Sequence, residues 1–594
     1  MDISSLYDEI LNRYDLISKG NGYEILGEYI ERNIIETWNS IDDNYNIAIW
    51  GAGEHTEKLL DIVEVSKKKV RCLIDKNPAL QGKKLSNIEI VSVDMISQYE
   101  IDAVVISSPK YEKEIKLELE RLNYKYIDLY ESISEFNVEN CPWYIWEKFD
   151  GDYQQNSYLS IFLFLMKNIY EKEKDEEIKE KILQAIIKKY LNIYDIIHAK
   201  YFIEIYKEND YKGQRYDEFI KELDSLFETI RIHLQNRNKE DMIIIISDAL
   251  RYKEINDIRR FDNKYEYLHK ISNESLFYTK AIANSTYTKA ALYSMLAGKL
   301  INYDEKYMND NYVLSYKESE LISSALDNGY YIVNESMTRL VPDNINIKNL
   351  RVETECFESC TVQLWRMLTY LCNMDSKVMY IFHFNETHTP YMCGYYEKAK
   401  VMNVIQNEIY KEKIDMREQY METIKYIDTQ LGYYMNMLSD SIYTILTSDH
   451  GQCIGEYSAY THTFTWYDEV LHTPLIINGK DLNKEVIEDL FDKKDFGKLI
   501  SSIIDKSYIE KRSRLKSEYV KSERDAIHSL FYLNDRKFIE ALGSKFIKGY
   551  TVITTMDKKY VRYDDGVEEL YDLDNENKNI IDVIGNCDEF RNKI

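Results

Sequence analysis

The sequence predicts an α/β protein: a parallel sheet near the N-terminus, a helical connector, and a second α/β unit on a central, mostly parallel sheet. Three observations predict it. Short apolar runs alternate with helix-periodic segments over residues 45–130 and again from about 239 onward. Between them the chain is charged, helix-periodic and almost free of Pro and Gly. At 594 residues it is too long for one hydrophobic core. The expected divisions are 1–135, 136–238 and 239–594.

The first 43 residues read as two helices, with Ile, Leu and Tyr at helical spacing. Tyr45–Trp50 reads as a buried strand, followed by Gly51-Ala52-Gly53-Glu54-His55-Thr56 and a helix over Glu57–Val63. A second strand, Val70–Ile74, ends in Asp75; Ile88–Val91, Asp102–Ser108 and Tyr126–Tyr130 supply the others. The Gly pair opens a helix, where a phosphate would meet free backbone N–H groups. Asp75 lies where a ribose-binding acid would lie. Thr56 stands where the dinucleotide fingerprint has its third glycine. With Asp75-Lys76-Asn77-Pro78 and Gln81-Gly82, the stretch resembles small Rossmann-like nucleotide-sugar or CoA-binding domains attached to bacterial surface-glycan enzymes. The resemblance implies a nucleotide or nucleotide-sugar at Gly51, Gly53 and Asp75. The alternative is a docking domain whose glycines only make a tight turn.

Helices are expected over Asn156–Glu171, Glu176–Tyr194 and Tyr216–Gln235, their aromatic stripes serving as core. The net charge of −26 argues against nonspecific nucleic-acid binding and against an anionic membrane surface. Met1-Asp2-Ile3-Ser4-Ser5 leads into a charged amphipathic helix, so no signal peptide is expected. The run Ile161–Met166 is too short to span a bilayer. Eight cysteines are scattered without paired metal-type spacing, and Cys356 and Cys360 read as a buried thiol pair on one helix face. A reducing, cytoplasmic location is expected.

The chemistry gathers in the last part. Asp241–Asp248 is a continuous apolar run closed by an acid, the pattern of a central parallel strand, and ligands bind beyond the carboxyl ends of such strands. Ala283–Gly298 reads as a hydroxyl-bearing loop, then a short helix from about Lys289 to a C-capping Gly298. Thr286 and Thr288 there are candidates for a nucleophile or a plain N-cap. Val378–Phe384 is another buried strand, running into Asn385-Glu386-Thr387-His388-Thr389-Pro390-Tyr391. A helix over Glu418–Leu438 precedes the strand Ser441–Leu446, which ends in Thr447-Ser448-Asp449-His450-Gly451. Adjacent carboxylate and imidazole suit Zn²⁺ or Mn²⁺, and Gly451 lets the chain turn away tightly. Thr461-His462-Thr463 and the apolar run through Ile477 follow. His383 and His472, within or against apolar strands, read as structural.

These strand-end stretches, in this order, resemble the alkaline phosphatase superfamily, in its sulfatase and phosphoethanolamine-transferase branch, from about residue 239 to 580. Tyr560–Tyr563 with Glu568–Asp574 is similar to the closing hairpin of sulfatases. The resemblance implies metal ligation by Asp248, Thr288, Asp449 and His450, with His388 and His462 touching substrate or a second metal. It implies Thr288 as nucleophile, since the Cys-x-Pro-x-Arg signature is missing: positions 288, 290 and 292 are Thr, Ala and Leu. A single acid, Asp248, follows Ser247, as in the transferases. One or two Zn²⁺ or Mn²⁺ ions would lower the pKa of the Thr288 hydroxyl. His388, His462 and Lys289 or Arg251 would help neutralise a phosphodiester. The expected function is metal-dependent phosphotransfer or phosphodiester hydrolysis through phospho-Thr288, on a phosphorylated small molecule or glycan. The alternatives are a sulfate-ester hydrolase and a non-catalytic protein that binds a ligand or partner through its Rossmann-like domain.

Overall fold

The computed structural model describes residues 1–17, 23–108, 111–131, 159–209, 214–301, 313–336, 344–350, 358–389, 391, 393–395, 413, 415–527, 530–573, 580–581 and 587–594. Helices α1 (Ile3–Arg13) and α2 (Tyr23–Asn39) lead into the first sheet. Its strands are β1 (Asn46–Trp50), β2 (Lys69–Ile74), β3 (Lys84–Leu85), β4 (Ile88–Val91), β5 (Ala103–Ile106) and β6 (Tyr126–Asp128). Spatial order is β3-β4-β2-β1-β5-β6, parallel throughout except for the β3–β4 hairpin. Helices α3 (Glu54–Ile62) and α4 (Glu112–Arg121) cross over between strands. The β3 edge is the one departure from the expected parallel order.

The connector holds α5 (Leu159–Lys172), α6 (Glu176–Asn192), α7 (Ile196–Glu208) and α8 (Gln214–Gln235). Of these, α7 lies between the expected helices, in a stretch where none was expected. Asp195 caps α7, accepting the His198 N–H, and this buried carboxylate also accepts from Tyr426 Oη (2.9 Å) and Gln430 Nε2 (2.9 Å). Tyr194 stacks on Trp365 at 4.8 Å between ring centroids. The connector is therefore packed onto the last part of the chain, as its scarcity of Pro and Gly requires of a non-flexible segment.

The second sheet begins with β7 (Met242–Ser247), followed by α9 (Tyr252–Phe261), α10 (Glu266–Glu274), β8 (Leu276–Ile282) and α11 (Thr288–Ala297). Its other strands are β9 (Tyr330–Asn334), β10 (Ile347–Asn349), β11 (Lys377–Phe384), β12 (Tyr443–Thr447), β15 (His472–Asn478) and β16 (Glu485–Asp492), with the short hairpin β13 (Cys453–Ile454) and β14 (Tyr460–Thr461) between. Order is β10-β9-β11-β7-β12-β15-β8-β16. Strands β10 to β12 of that order run parallel; β15 is antiparallel to both neighbours. Every residue of β7 is buried, because helices cover both faces. An antiparallel sheet, β17 (Val520–Arg524), β18 (Tyr550–Thr554), β19 (Lys558–Tyr563), β20 (Glu568–Asp572) and β21 (Ile580–Ile581), closes the chain. The expected Cys356–Cys360 pairing falls partly outside the described residues; Cys360 and the other described cysteines are buried thiols, none of them in a disulfide among the described residues. Among the described residues, no helix is long and apolar enough to cross a membrane.

Candidate functional site

The carboxyl ends of the central strands β7, β11 and β12 lie side by side at one end of the second sheet. Register places Phe384 beside Ser247 and Thr447 beside Ile246, so Asp248, the loop after β11 and Asp449-His450 emerge together. Ligand atoms of Asp248, Asp449 and His450 lie within 4.8 Å of one another, all buried. His450 donates Nδ1–H to the Gly451 carbonyl (3.0 Å), which leaves Nε2 as a lone pair. Burial pushes this imidazole down to about 3, so it is neutral near pH 7. Thr288, first residue of α11, donates its hydroxyl to that Nε2 at 3.1 Å. Asp449 Oδ1 accepts the His450 N–H (2.8 Å), whereas its Oδ2 is buried without a hydrogen-bond partner, 3.2 Å from His450 Nε2. A buried carboxylate oxygen facing a lone pair is a donor set waiting for a cation, and oxygen with imidazole nitrogen fits a divalent ion. Asp248, Asp449 and His450 would hold it, beside the Thr288 oxygen.

Two more imidazoles line the same place. His388 Nδ1 faces the Thr389 carbonyl at 2.5 Å and His462 Nδ1 faces the Thr286 carbonyl at 2.8 Å. A carbonyl only accepts, so each Nδ1 carries the proton. The two Nε2 lone pairs then face each other across 2.9 Å, a repulsion that a shared proton or a cation relieves. Burial lowers both imidazoles, and His462 stacks on His450 at 4.1 Å. The supports are equally specific. Ser247 donates to Thr387 Oγ1 (2.7 Å), which donates to the Asp248 carbonyl (2.7 Å). Non-glycine residues with left-handed φ flank the site at Ala249 (62°), Tyr391 (61°) and Thr461 (60°), local strain of the kind that collects at functional sites. A Cβ on Gly451 would collide with the Glu469 carbonyl, so close backbone approach demands glycine there.

The first sheet has its own cavity, of about 360 Å³, at the carboxyl ends of β1, β2 and β5, lined by Trp50, Gly51, Gly53, His55, Asp75 and Tyr111 among others. Its glycines differ. Gly51, at φ 127°, would carry a Cβ 2.6 Å from the Ser107 carbonyl, so the fold itself needs it. Gly53 has nothing within 4 Å of a Cβ, which would project into open space. Asp75 is engaged by backbone, accepting from Ala52 N–H (3.2 Å) and Asn77 N–H (2.8 Å). His55 meets the Tyr130 hydroxyl, and burial pushes its imidazole down to about 4. An unfolded chain binds that proton near 6.5, so stability is complete above that pH, falls as pH drops, and is lost by about 4. The loss is of order 3 kcal/mol. His55→Gln is expected to flatten this acid-side slope in urea unfolding; equal slopes for both proteins would refute it.

Comparison with known proteins bears on both regions. Residues 240–505 match the family model for sulfatases. This segment is a sulfatase-family domain. Residues 43–127 match the model described as C2185-like, N-terminal. Over 98 residues the chain is 30% identical to the redox-sensing transcriptional repressor Rex of Clostridium novyi (strain NT), an alignment of 16% of this chain and 45% of the repressor. The chain therefore spans less than half the length of that relative. Among solved structures, BT1596, a 2-O GAG sulfatase, is 13% identical over 60% of this chain and 90% of its own, with a TM-score of 0.45. The phosphonate monoester hydrolase SpPMH from Silicibacter pomeroyi is 14% identical over 57% of this chain and 90% of its own, at 0.42.

Within the sulfatase-family domain, the structure brings together Asp248, Thr288, His388, Asp449, His450 and His462, all singled out from sequence. Thr286 points elsewhere, its hydroxyl 3.4 Å from Tyr550 Oη. Thr288 is not an N-cap: Tyr287 holds that position. Arg251, expected to help neutralise a phosphate, is instead paired with Glu254 (2.8 Å) and Glu456 (2.9 Å). His472 is structural, stacked on Tyr252 and bonded to the Thr279 carbonyl. His383 is not remote: its Nε2 lies 3.6 Å from Asp248 Oδ2. Its only signal in sequence is a lone imidazole in an apolar strand that ends at a site. Lys493 was missed outright. It is fully buried, pushed down to about 7 by that burial, and donates to the Ser448 carbonyl and Thr447 Oγ1.

Proposed function

We propose that the chain is a metal-dependent phosphotransferase or phosphodiesterase acting through Thr288 on a phosphorylated small molecule or glycan, in surface-glycan modification. The observation that carries this is the Thr288 hydroxyl on His450 Nε2, inside the Asp248–Asp449–His450 cluster. Zn²⁺ or Mn²⁺ at that cluster would lower the pKa of the Thr288 hydroxyl and draw charge from the substrate. Thr288 Oγ1 gives its proton to water and attacks phosphorus, the bond to the leaving alkoxide breaks, and the alkoxide takes a proton from water. Water or an acceptor hydroxyl then cleaves phospho-Thr288. The facing His388 and His462 supply the second cationic position, holding a proton or a second ion against the phosphoryl oxygens.

The division at 1–135, 136–238 and 239–594 is part of this reading. So is a nucleotide or nucleotide-sugar in the N-terminal cavity, where Gly53 leaves room at the start of α3. Sulfate-ester hydrolysis is the second reading, favoured by the family match alone. The test is metal content after chelator-free purification, with bis-p-nitrophenyl phosphate and p-nitrophenyl sulfate assayed side by side. Tightly bound Zn²⁺ or Mn²⁺ and preferential diester turnover are expected. Sulfate turnover above diester turnover would replace the reading with its alternative. No metal and no turnover of either ester would leave a binding protein.

A further inference from the structure

Two adjacent residues at the end of the edge strand β16 reach both halves of the site. Asp492 and Lys493 are each fully buried. Asp492 Oδ1 accepts the Asn284 side-chain amide at 2.8 Å, and Asn284 lies in the loop that delivers Thr288. Lys493 Nζ turns the other way, to Thr447 Oγ1 (2.9 Å) and the Ser448 carbonyl, at the root of the Asp449-His450 turn. Ser448 is itself tied to that turn, since its hydroxyl donates to the His450 carbonyl and accepts the Leu250 N–H at 3.0 Å. The nucleophile loop is held from its other side by the closing antiparallel sheet: Ser522 Oγ donates to the Ala283 carbonyl (2.6 Å) and Glu523 N–H to the Asn284 carbonyl (2.9 Å).

We propose that Asp492 and Lys493 are a pair of positioning residues that sets the nucleophile loop against the metal-ligand turn. Lys493 holds the ligand side and Asp492 holds the Thr288 side. The inference rests on the proposed function, because it assigns roles within the same site. A buried lysine is an expensive way to tie down one carbonyl, since burial penalises its charge and a methyl-terminated side chain of like volume would pack at less cost.

The two residues should separate by readout. Lys493→Met keeps volume and removes charge; it is expected to weaken Zn²⁺ or Mn²⁺ binding by about tenfold or more, measured by competition with a chelating dye. Its metal-free melting temperature should not fall. Asp492→Ala is expected to lower kcat for the diester by about tenfold with metal affinity and KM within about twofold of wild type, and Asp492→Asn, which keeps an acceptor for Asn284, to restore kcat. A purely structural role predicts the reverse: lower metal-free melting temperatures with unchanged affinity and kcat, and that result overturns the inference. If Lys493→Met does not fold, Thr447→Val removes one of its two acceptors and carries the same test, with a smaller loss of affinity. Wild-type protein that binds no metal would sink the proposed function and this inference together. Wild-type binding with unchanged variants would sink this inference alone.

Discussion

Thr288→Ala is expected to lower metal-dependent diester turnover by at least about 1,000-fold, while the fold and the metal content persist. In free energy that is a loss of about 4 kcal/mol or more of transition-state stabilisation. The argument is geometric. Thr288 opens α11, a position where alanine is at least as good a helix former, and its hydroxyl makes a hydrogen bond to His450 Nε2. Removing one hydroxyl costs about 1 kcal/mol of stability. It also removes the hydroxyl that meets His450 Nε2 in the metal-ligand cluster, whereas the Thr286 hydroxyl lies against Tyr550 Oη. Thr288→Ser keeps the oxygen and should retain turnover within about tenfold of wild type. The decisive companion is mass spectrometry of the peptide carrying Thr288 after a brief quench with substrate, where wild type should gain one phosphoryl group. Undiminished turnover in Thr288→Ala, or the loss appearing in Thr286→Ala instead, would move the nucleophile elsewhere.

The parts legible in sequence were those whose signal is local. Continuous apolar runs ending in an acid or an Asp-His pair marked β7 and β12, because a strand buried on both faces admits nothing polar until it emerges from the sheet. The same logic placed His388 after β11, whereas Thr288, expected in the loop before the helix, is the first residue of α11. What escaped was set by pairing at long range. Asn284 meets Asp492 across 208 residues of chain, and Lys493 meets Thr447 across 46. In a chain with 76 lysines and arginines, one more lysine at a strand end carries no mark of being buried. Arg251, beside Asp248 in sequence, is paired in space with the nearby Glu254 and with Glu456, 205 residues on. The β3–β4 hairpin has only two residues in β3, below the length at which alternation can be read. For Asp75, sequence gave the right place at a strand end but not its partners, the Ala52 and Asn77 amides.

Asp449→Asn should abolish tight metal binding and, in the metal-free protein, raise stability. The two effects have one cause. Asp449 and Asp248 are buried carboxylates whose oxygens lie within 4.8 Å of one another and of His450. Without an ion, two like charges at that range in a poorly solvated site repel each other, and removing one relieves a destabilisation of about 1–2 kcal/mol. Asparagine fits the same space: its Oδ1 still accepts the amides of His450 (2.8 Å) and Ala249 (3.3 Å), so the turn is preserved. What changes is Oδ2, the buried oxygen that has no hydrogen-bond partner, replaced by an amide that offers protons where a cation needs an electron pair. Loss of a group supporting a metal ligand costs about 10–100-fold in affinity, so loss of a ligand itself should exceed about 100-fold. The measurement is a pair of thermal melts, with chelator and with saturating Zn²⁺ or Mn²⁺. Wild type should gain several degrees from the metal, and Asp449→Asn should start higher and gain nothing. A variant that is less stable without metal, yet still stabilised by it, would show that Asp449 serves the fold and that the ion binds elsewhere.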